Sequence, residues 1–171
     1  IDDPASLLEH LEKTSEKIAG KICKWLDDKK IEVLISENAS ALPSHLSMGI
    51  GIKKAIEKTG INTITHDHDF AWERDDRYVS PHKKINQLIE QTFPLQISSK
   101  NVHYAVINLE AKKTLKKKFG INADVVPNVM DFEIPFGQIT DENKSLLKDL
   151  GLNENDIPLF QITRIVGRKG I

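Results

Sequence analysis

The sequence predicts an α/β protein, a parallel sheet with flanking helices. Short β-rich runs alternate strictly with amphipathic helical stretches, the pattern of βαβ units. The run at 102–107 is almost continuously apolar, as strands buried in parallel sheets are. Gly60, Gly120 and Gly151 each stand where a helical stretch should stop.

Residues 6–29 predict the first helix. Leu7, Leu8, Leu11, Ile18, Ile22, Trp25 and Leu26 recur near a period of 3.6, with Glu and Lys on the other face. Cys23 falls in the same stripe and is expected to be a buried, inert thiol. A strand at 31–36 follows, then a helix from Pro43 to 59. The strand at 61–65 runs into His66, and a short helix covers 81–91. After the strand at 102–107 comes a basic amphipathic helix at 109–119, then a strand at 123–126 stopped by Pro127. Thr140 caps a helix at 140–150, and 159–163 is the last expected strand. Pro135 and Gly137 make 130–138 the linker candidate. The expected division is therefore 1–130, a partial domain, and 131–171, a linker and the beginning of a second.

Composition narrows the function classes. With a net charge of −1, nothing in the whole-chain charge points to nucleic acid. No run of 18 apolar residues predicts a transmembrane helix. Cys23 is the only cysteine, so no internal disulfide or cysteine-based zinc cluster can form, which fits a reducing, cytoplasmic location. Lys112, Lys113, Lys116, Lys117 and Lys118 form a basic helix face, either simply solvated or a means of lying against an anionic membrane. The chain opens on Ile1 rather than Met and stops at Ile171, just after its last strand. It is therefore expected to be part of something longer.

Parallel sheets bind ligands at the carboxyl ends of their strands. Glu37 and Asn38, His66 to Arg74, Asn108, Pro127 to Asp131 and Arg164 to Gly170 all fall there. His66 can be a substrate-contacting imidazole oriented by a neighbouring carboxylate, or a histidine that satisfies loop backbone. His66 and His68 could share a metal ion. However, a His-x-His-x-Asp-His hydrolase pattern fails at Phe70 and Ala71, and His82 and His103 are not at strand ends, so no metal is assigned. Trp72 and Arg74 could stack on or hydrogen-bond to a sugar, or Trp72 could be buried under the loop. Glu37, Asn38, His68, Asp69 and Arg74 are the candidate substrate contacts. Arg164 and Lys169, five residues apart beside Gly170, suit a diphosphate.

Four pieces in order resemble the retaining glycosyltransferases of the GT-B fold, family 4. The strand entering His66-Asp67 resembles the family's strand followed by "H-D". Asn108 through Leu115 resembles its "S-x-x-x-x-x-x-L". Val125-Val126-Pro127-Asn128-Val129-Met130-Asp131 resembles "V-I-P-N-G-V-D". Thr163-Arg164-Ile165-Val166-Gly167-Arg168-Lys169-Gly170 resembles "G-R-L-x-x-x-K-G". The resemblance covers about 31–171 and departs at Thr163 and Val129, which stand where the family has glycine.

The resemblance implies two Rossmann-like domains with the active site in the cleft between them. This chain would hold part of the acceptor-side domain and the first strand of the donor-side domain. It implies sugar transfer with retention from a nucleotide-diphosphate sugar to an acceptor, with no cofactor or metal required. Arg164 and Lys169 would hold the donor diphosphate, and His66, the catalytic residue, would lie beside the transferred sugar. The family's glycine-rich first turn and late glutamate pair are not in this sequence, so these 171 residues alone are expected not to catalyse transfer. Uncovered sheet edges are expected to allow a homodimer. Two other classes stay open: a non-catalytic Rossmann-like module for an anionic metabolite or protein, and a metal-dependent hydrolase using His66 and His68.

Overall fold

A computed structural model of the chain describes residues 4–74, 76–131, 133, 137, 139–153 and 155–170. Two compact units divide it, Ile1–Val129 and Met130–Ile171. Pro135 lies outside the described residues.

The first unit runs α1 (Pro4–Asp28), β1 (Val33–Glu37), a 3-10 turn (Pro43–His45) and α2 (Leu46–Thr59). It continues through β2 (Asn62–Asp67), a second 3-10 turn (Ala71–Glu73), α3 (Lys83–Thr92), β3 (Val102–Val106), α4 (Leu109–Phe119) and β4 (Ala123–Val125). The strands form one sheet in the order β1-β2-β3-β4, and every pair is parallel. This is the expected α/β, Rossmann-like arrangement. Asn108 starts α4 by accepting the Ala111 backbone N–H on Oδ1 at 2.8 Å. Gly60 and Gly120 end α2 and α4 in the left-handed conformation, at φ of 65° and 69°.

Side chains alternate between the two faces of the sheet. One face carries Leu34, Thr63 and Val102 in register, then Ser36, Thr65 and Tyr104. Leu34 and Tyr104 pack against a core of Ile52, Ile56, Leu95 and Val102. Tyr104 also joins a second cluster of Ala41, Phe70, Val106, Ala111, Leu115 and Ala123. The other face stays open at β1, where Val33 is 50% and Ile35 61% exposed, and at Ile64 of β2. His103 is exposed as well, so β3 is not the doubly buried strand its apolar run predicts. Cys23 is half-buried rather than buried.

α1 and α2 pack closely because their contact is made of small residues. Ser15, Ala19 and Ala55 are buried there. A Cβ on Gly51 would stand 2.6 Å from Ile18 Cγ2 and 3.1 Å from the Ser15 carbonyl oxygen. At the rim, Lys54 and Lys58 each reach Glu16 at 2.6 Å, and Lys54 also pairs with Glu12. Hydrogen bonds from Lys54 and Lys58 pull the Glu16 carboxyl down to about 2.

The second unit departs from expectation. Its helix is only α5 (Leu146–Asp149), with a 3-10 turn at Gly167–Lys169. The segment 159–163 is not a strand, and Leu159 and Ile162 are each 94% exposed. No described residue from 130 to 170 is buried. A strand exists only when a neighbour takes its N–H and C=O groups, and this unit holds no second strand among its described residues.

Gly51→Ala is expected to lower stability by about 1–3 kcal/mol through overpacking. That loss outweighs the roughly 1 kcal/mol of helix propensity gained. Urea unfolding measures it. An unchanged or raised midpoint would mean that α1 yields at no cost.

Candidate functional site

β1 and β2 pair so that Glu37 lies opposite His66, each at the carboxyl end of its strand. Residues paired in register share a face, so the two side chains meet. His66 Nδ1 lies 3.0 Å from Glu37 Oε1 and 3.2 Å from Oε2. β2 extends through Asp67, which puts His66 inside the strand rather than just beyond it. His68, two residues on, comes to the same side. Its Nε2 is 2.6 Å from Glu37 Oε1 and 3.3 Å from His66 Nδ1. The two rings meet edge to face, with centroids 4.7 Å apart. The other nitrogen of His66, Nε2, is 2.8 Å from the carbonyl oxygen of Val126, just past β4. The residue between them in register is Ala105 of β3, whose small side chain lets the imidazole cross over it.

Asn38 holds this end of the sheet in shape. It sits at φ 52°, a left-handed conformation that asparagine tolerates better than most residues. Its backbone N–H donates to the His66 carbonyl at 2.9 Å. Its side-chain oxygen accepts the backbone N–H groups of His68 at 3.0 Å and Asp69 at 3.3 Å. Asn38 thus positions the loop that carries His68.

The remaining candidates are engaged within the chain. Asp69 and Arg74 form an ion pair with each other. Trp72 stacks on Phe70 with ring centroids 4.5 Å apart and an interplanar angle of 5°. Lys118 of the basic helix lies 4.8 Å above the Trp72 ring. Of the two readings for Trp72, packing against the core is the one seen. Arg164 and Lys169 belong to the second unit. Lys169 ends the 3-10 turn, which Gly170 closes at φ 74°, and Arg164 precedes that turn. Neither makes an ion pair among the described residues.

Sequence reasoning missed Asp67. It lies on the helix-covered face, opposite the face of His66, and is fully buried. Neither carboxylate oxygen meets a hydrogen-bond donor in proper geometry, and Thr65 Oγ1 is likewise unsatisfied. Burial pushes the Asp67 carboxyl from 3.8 up to about 7, against the opposing pull of Thr65 and His66. The signal available in the sequence was the two-residue period itself. Thr63, Thr65 and Asp67 occupy alternate positions of a strand whose other face ends in His66.

The chain is similar over nearly its whole length to two curated proteins. It is 32% identical over 163 residues, 95% of its length, to the mannosylglucosylglycerate synthase of Petrotoga mobilis. It is 31% identical over 166 residues, 96% of its length, to the mannosylglucosylglycerate synthase of Thermotoga maritima. In both comparisons it spans 36% of the relative's length. No protein-family model and no solved structure matches it.

The folded chain favours neutral Asp67, so between about pH 4 and 7 it keeps a proton that the unfolded chain has lost. Stability from this group therefore falls as pH rises through that window. Asp67→Asn should match the parent near pH 4 and become more stable than it by about 2–4 kcal/mol above pH 7. Denaturant unfolding across pH checks this. A difference that does not change with pH would mean that the carboxylate finds water or a partner.

Proposed function

We propose that the chain is part of a glycosyltransferase that moves a sugar from a nucleotide-diphosphate donor to an acceptor hydroxyl, with retention at the anomeric carbon. The observation that carries this is the similarity of 95–96% of the chain to two mannosylglucosylglycerate synthases. The names of those proteins describe a product made of two sugars and glycerate. On that basis the transferred sugar is a hexose, and the acceptor is a small anionic hydroxy acid or its glycoside.

The strand-end chemistry is compatible with this. His66 lies beside the transferred sugar, its Nδ1 turned toward Glu37, which orients the ring. Exchanging the Val126 carbonyl for a sugar hydroxyl would make Nε2–H a donor to substrate. In the reaction the bond between the anomeric carbon and the diphosphate oxygen breaks. A bond from the acceptor oxygen forms on the same face, and the acceptor's hydroxyl proton leaves with the diphosphate. Arg164 and Lys169 stabilise the charge that develops on that leaving group, a role that grows as the bond breaks and therefore accelerates the step. Transfer needs no metal in this reading. Because the chain spans about a third of the length of these relatives, further groups of the active site are expected from the rest of a protein of that size.

The test is a thermal-shift titration, with UDP-, GDP- and ADP-sugars, of the longest protein that carries this chain. It is run with and without magnesium. Stabilisation by one nucleotide class, independent of magnesium, is expected. Arg164→Ala should weaken it about ten-fold or more, because it removes a charge-assisted hydrogen bond worth roughly 1.5–3 kcal/mol. His66→Ala should lower kcat more than it raises KM. No shift with any donor in folded protein would overturn the reading, as would full donor affinity without both Arg164 and Lys169.

A further inference from the structure

We propose that Glu37, His66 and His68 form a binding site for a divalent transition metal of the zinc class. Three ligand atoms converge: Glu37 Oε1, His66 Nδ1 and His68 Nε2. Their mutual distances are 3.0, 2.6 and 3.3 Å. Zinc binds imidazole nitrogen and carboxylate oxygen at about 2.0–2.2 Å, which sets the edges of a tetrahedron at roughly 3.3–3.5 Å. The His66–His68 edge already fits. The two edges to Glu37 must open, and that side chain is 57% exposed and has room to swing.

Proton accounting at His66 points the same way. The Val126 carbonyl can only accept, so Nε2 carries the proton that bonds it. In the neutral ring Nδ1 then presents a lone pair, and it presents it to both carboxylate oxygens of Glu37 and to His68 Nε2. A proton on Nδ1 satisfies one of the three edges, whereas a dication between the three atoms satisfies all of them. The hydrogen bond from the far nitrogen of His66 to a backbone carbonyl is also the support that metal-ligating histidines usually have. The backbone holds the ligands in place. Glu37 and His66 are fixed by strand register, and the loop bearing His68 is tied down by Asn38.

The donor set selects the ion. Two imidazoles and one carboxylate favour zinc, cobalt or nickel over magnesium or calcium, which prefer all-oxygen sites. Three protein ligands leave a fourth position for water or a ligand oxygen. The site is independent of the sugar-transfer reading, because metal binding can be measured with no sugar present. The donor titration above, repeated on metal-free protein, tests transfer separately.

The experiment strips the chain with a chelator and titrates it with Co2+, followed by visible absorption, and with Zn2+ by calorimetry. One equivalent of each is expected. Glu37→Gln and His68→Ala should each weaken binding at least ten-fold, and both change side chains with solvent access in a sheet that does not need them to fold. His10→Ala, on the exposed face of α1, should leave affinity unchanged, and a large excess of Mg2+ should not displace Co2+. Absence of stoichiometric Co2+ and Zn2+ binding would overturn the proposal. Wild-type affinity in both Glu37→Gln and His68→Ala would overturn it too, by putting the metal elsewhere.

Discussion

The register of β1 against β2 is the constraint on which the rest of the strand-end chemistry depends. Glu37 meets His66 only because the two strands pair residue for residue, 33 with 62 through 37 with 66. A slip of one residue would send one of these side chains to the opposite face of the sheet. The register is held from the buried side. Leu34 of β1 and Val102 of β3 pack into one core with Ile52, Ile56 and Leu95, and a slip of either strand would withdraw that side chain from it. The hydrophobic core thus fixes a polar geometry that it does not touch.

The same alternation divides the run from His66 to His68. The two histidines fall on the accessible side, where Glu37 meets them, and Asp67 between them falls on the buried side with both oxygens unsatisfied. An uncompensated buried carboxylate costs several kcal/mol, so the group stays neutral to higher pH than usual. One strand end therefore holds two unsatisfied electrostatic situations back to back. On one face a carboxyl lacks a donor, and on the other two imidazoles and a carboxylate converge. Proteins tolerate such arrangements mainly where they serve binding or catalysis. That concentration, more than any single residue, marks this end of the sheet.

Much of the first unit was legible in the sequence because its signals were local. The 3.6 period placed α1, and glycines at left-handed positions marked the ends of α2 and α4. Asn108 was legible as a residue after a strand and as the first position of a family motif, and in the structure it caps α4. Pairings across the chain were not legible. Glu37 lies 29 residues before His66, and nothing in the order of residues shows that β1 and β2 are adjacent and in that register. The metal reading therefore lacked its third ligand. Asp69 and Arg74 were read one by one as candidate substrate contacts, and their pairing with each other, made by a short turn that brings position 74 back to 69, was not legible. The segment 159–163 had a strand's composition, but β structure is a property of pairs, and no partner strand is described beside it.

His66 appears in both proposals, and they use different atoms of it. A metal takes Nδ1, whereas a sugar hydroxyl would meet Nε2, which now bonds Val126. The two are coupled through the ring. Any cation at Nδ1, whether proton or metal, keeps the remaining proton on Nε2 and withdraws electron density from it, so Nε2–H becomes the stronger donor. A metal differs from a proton in that it also holds Glu37 and His68 against the ring. A metal at Nδ1 would therefore hold the His66 ring in one orientation, with Nε2–H placed to meet either the Val126 carbonyl or a sugar hydroxyl.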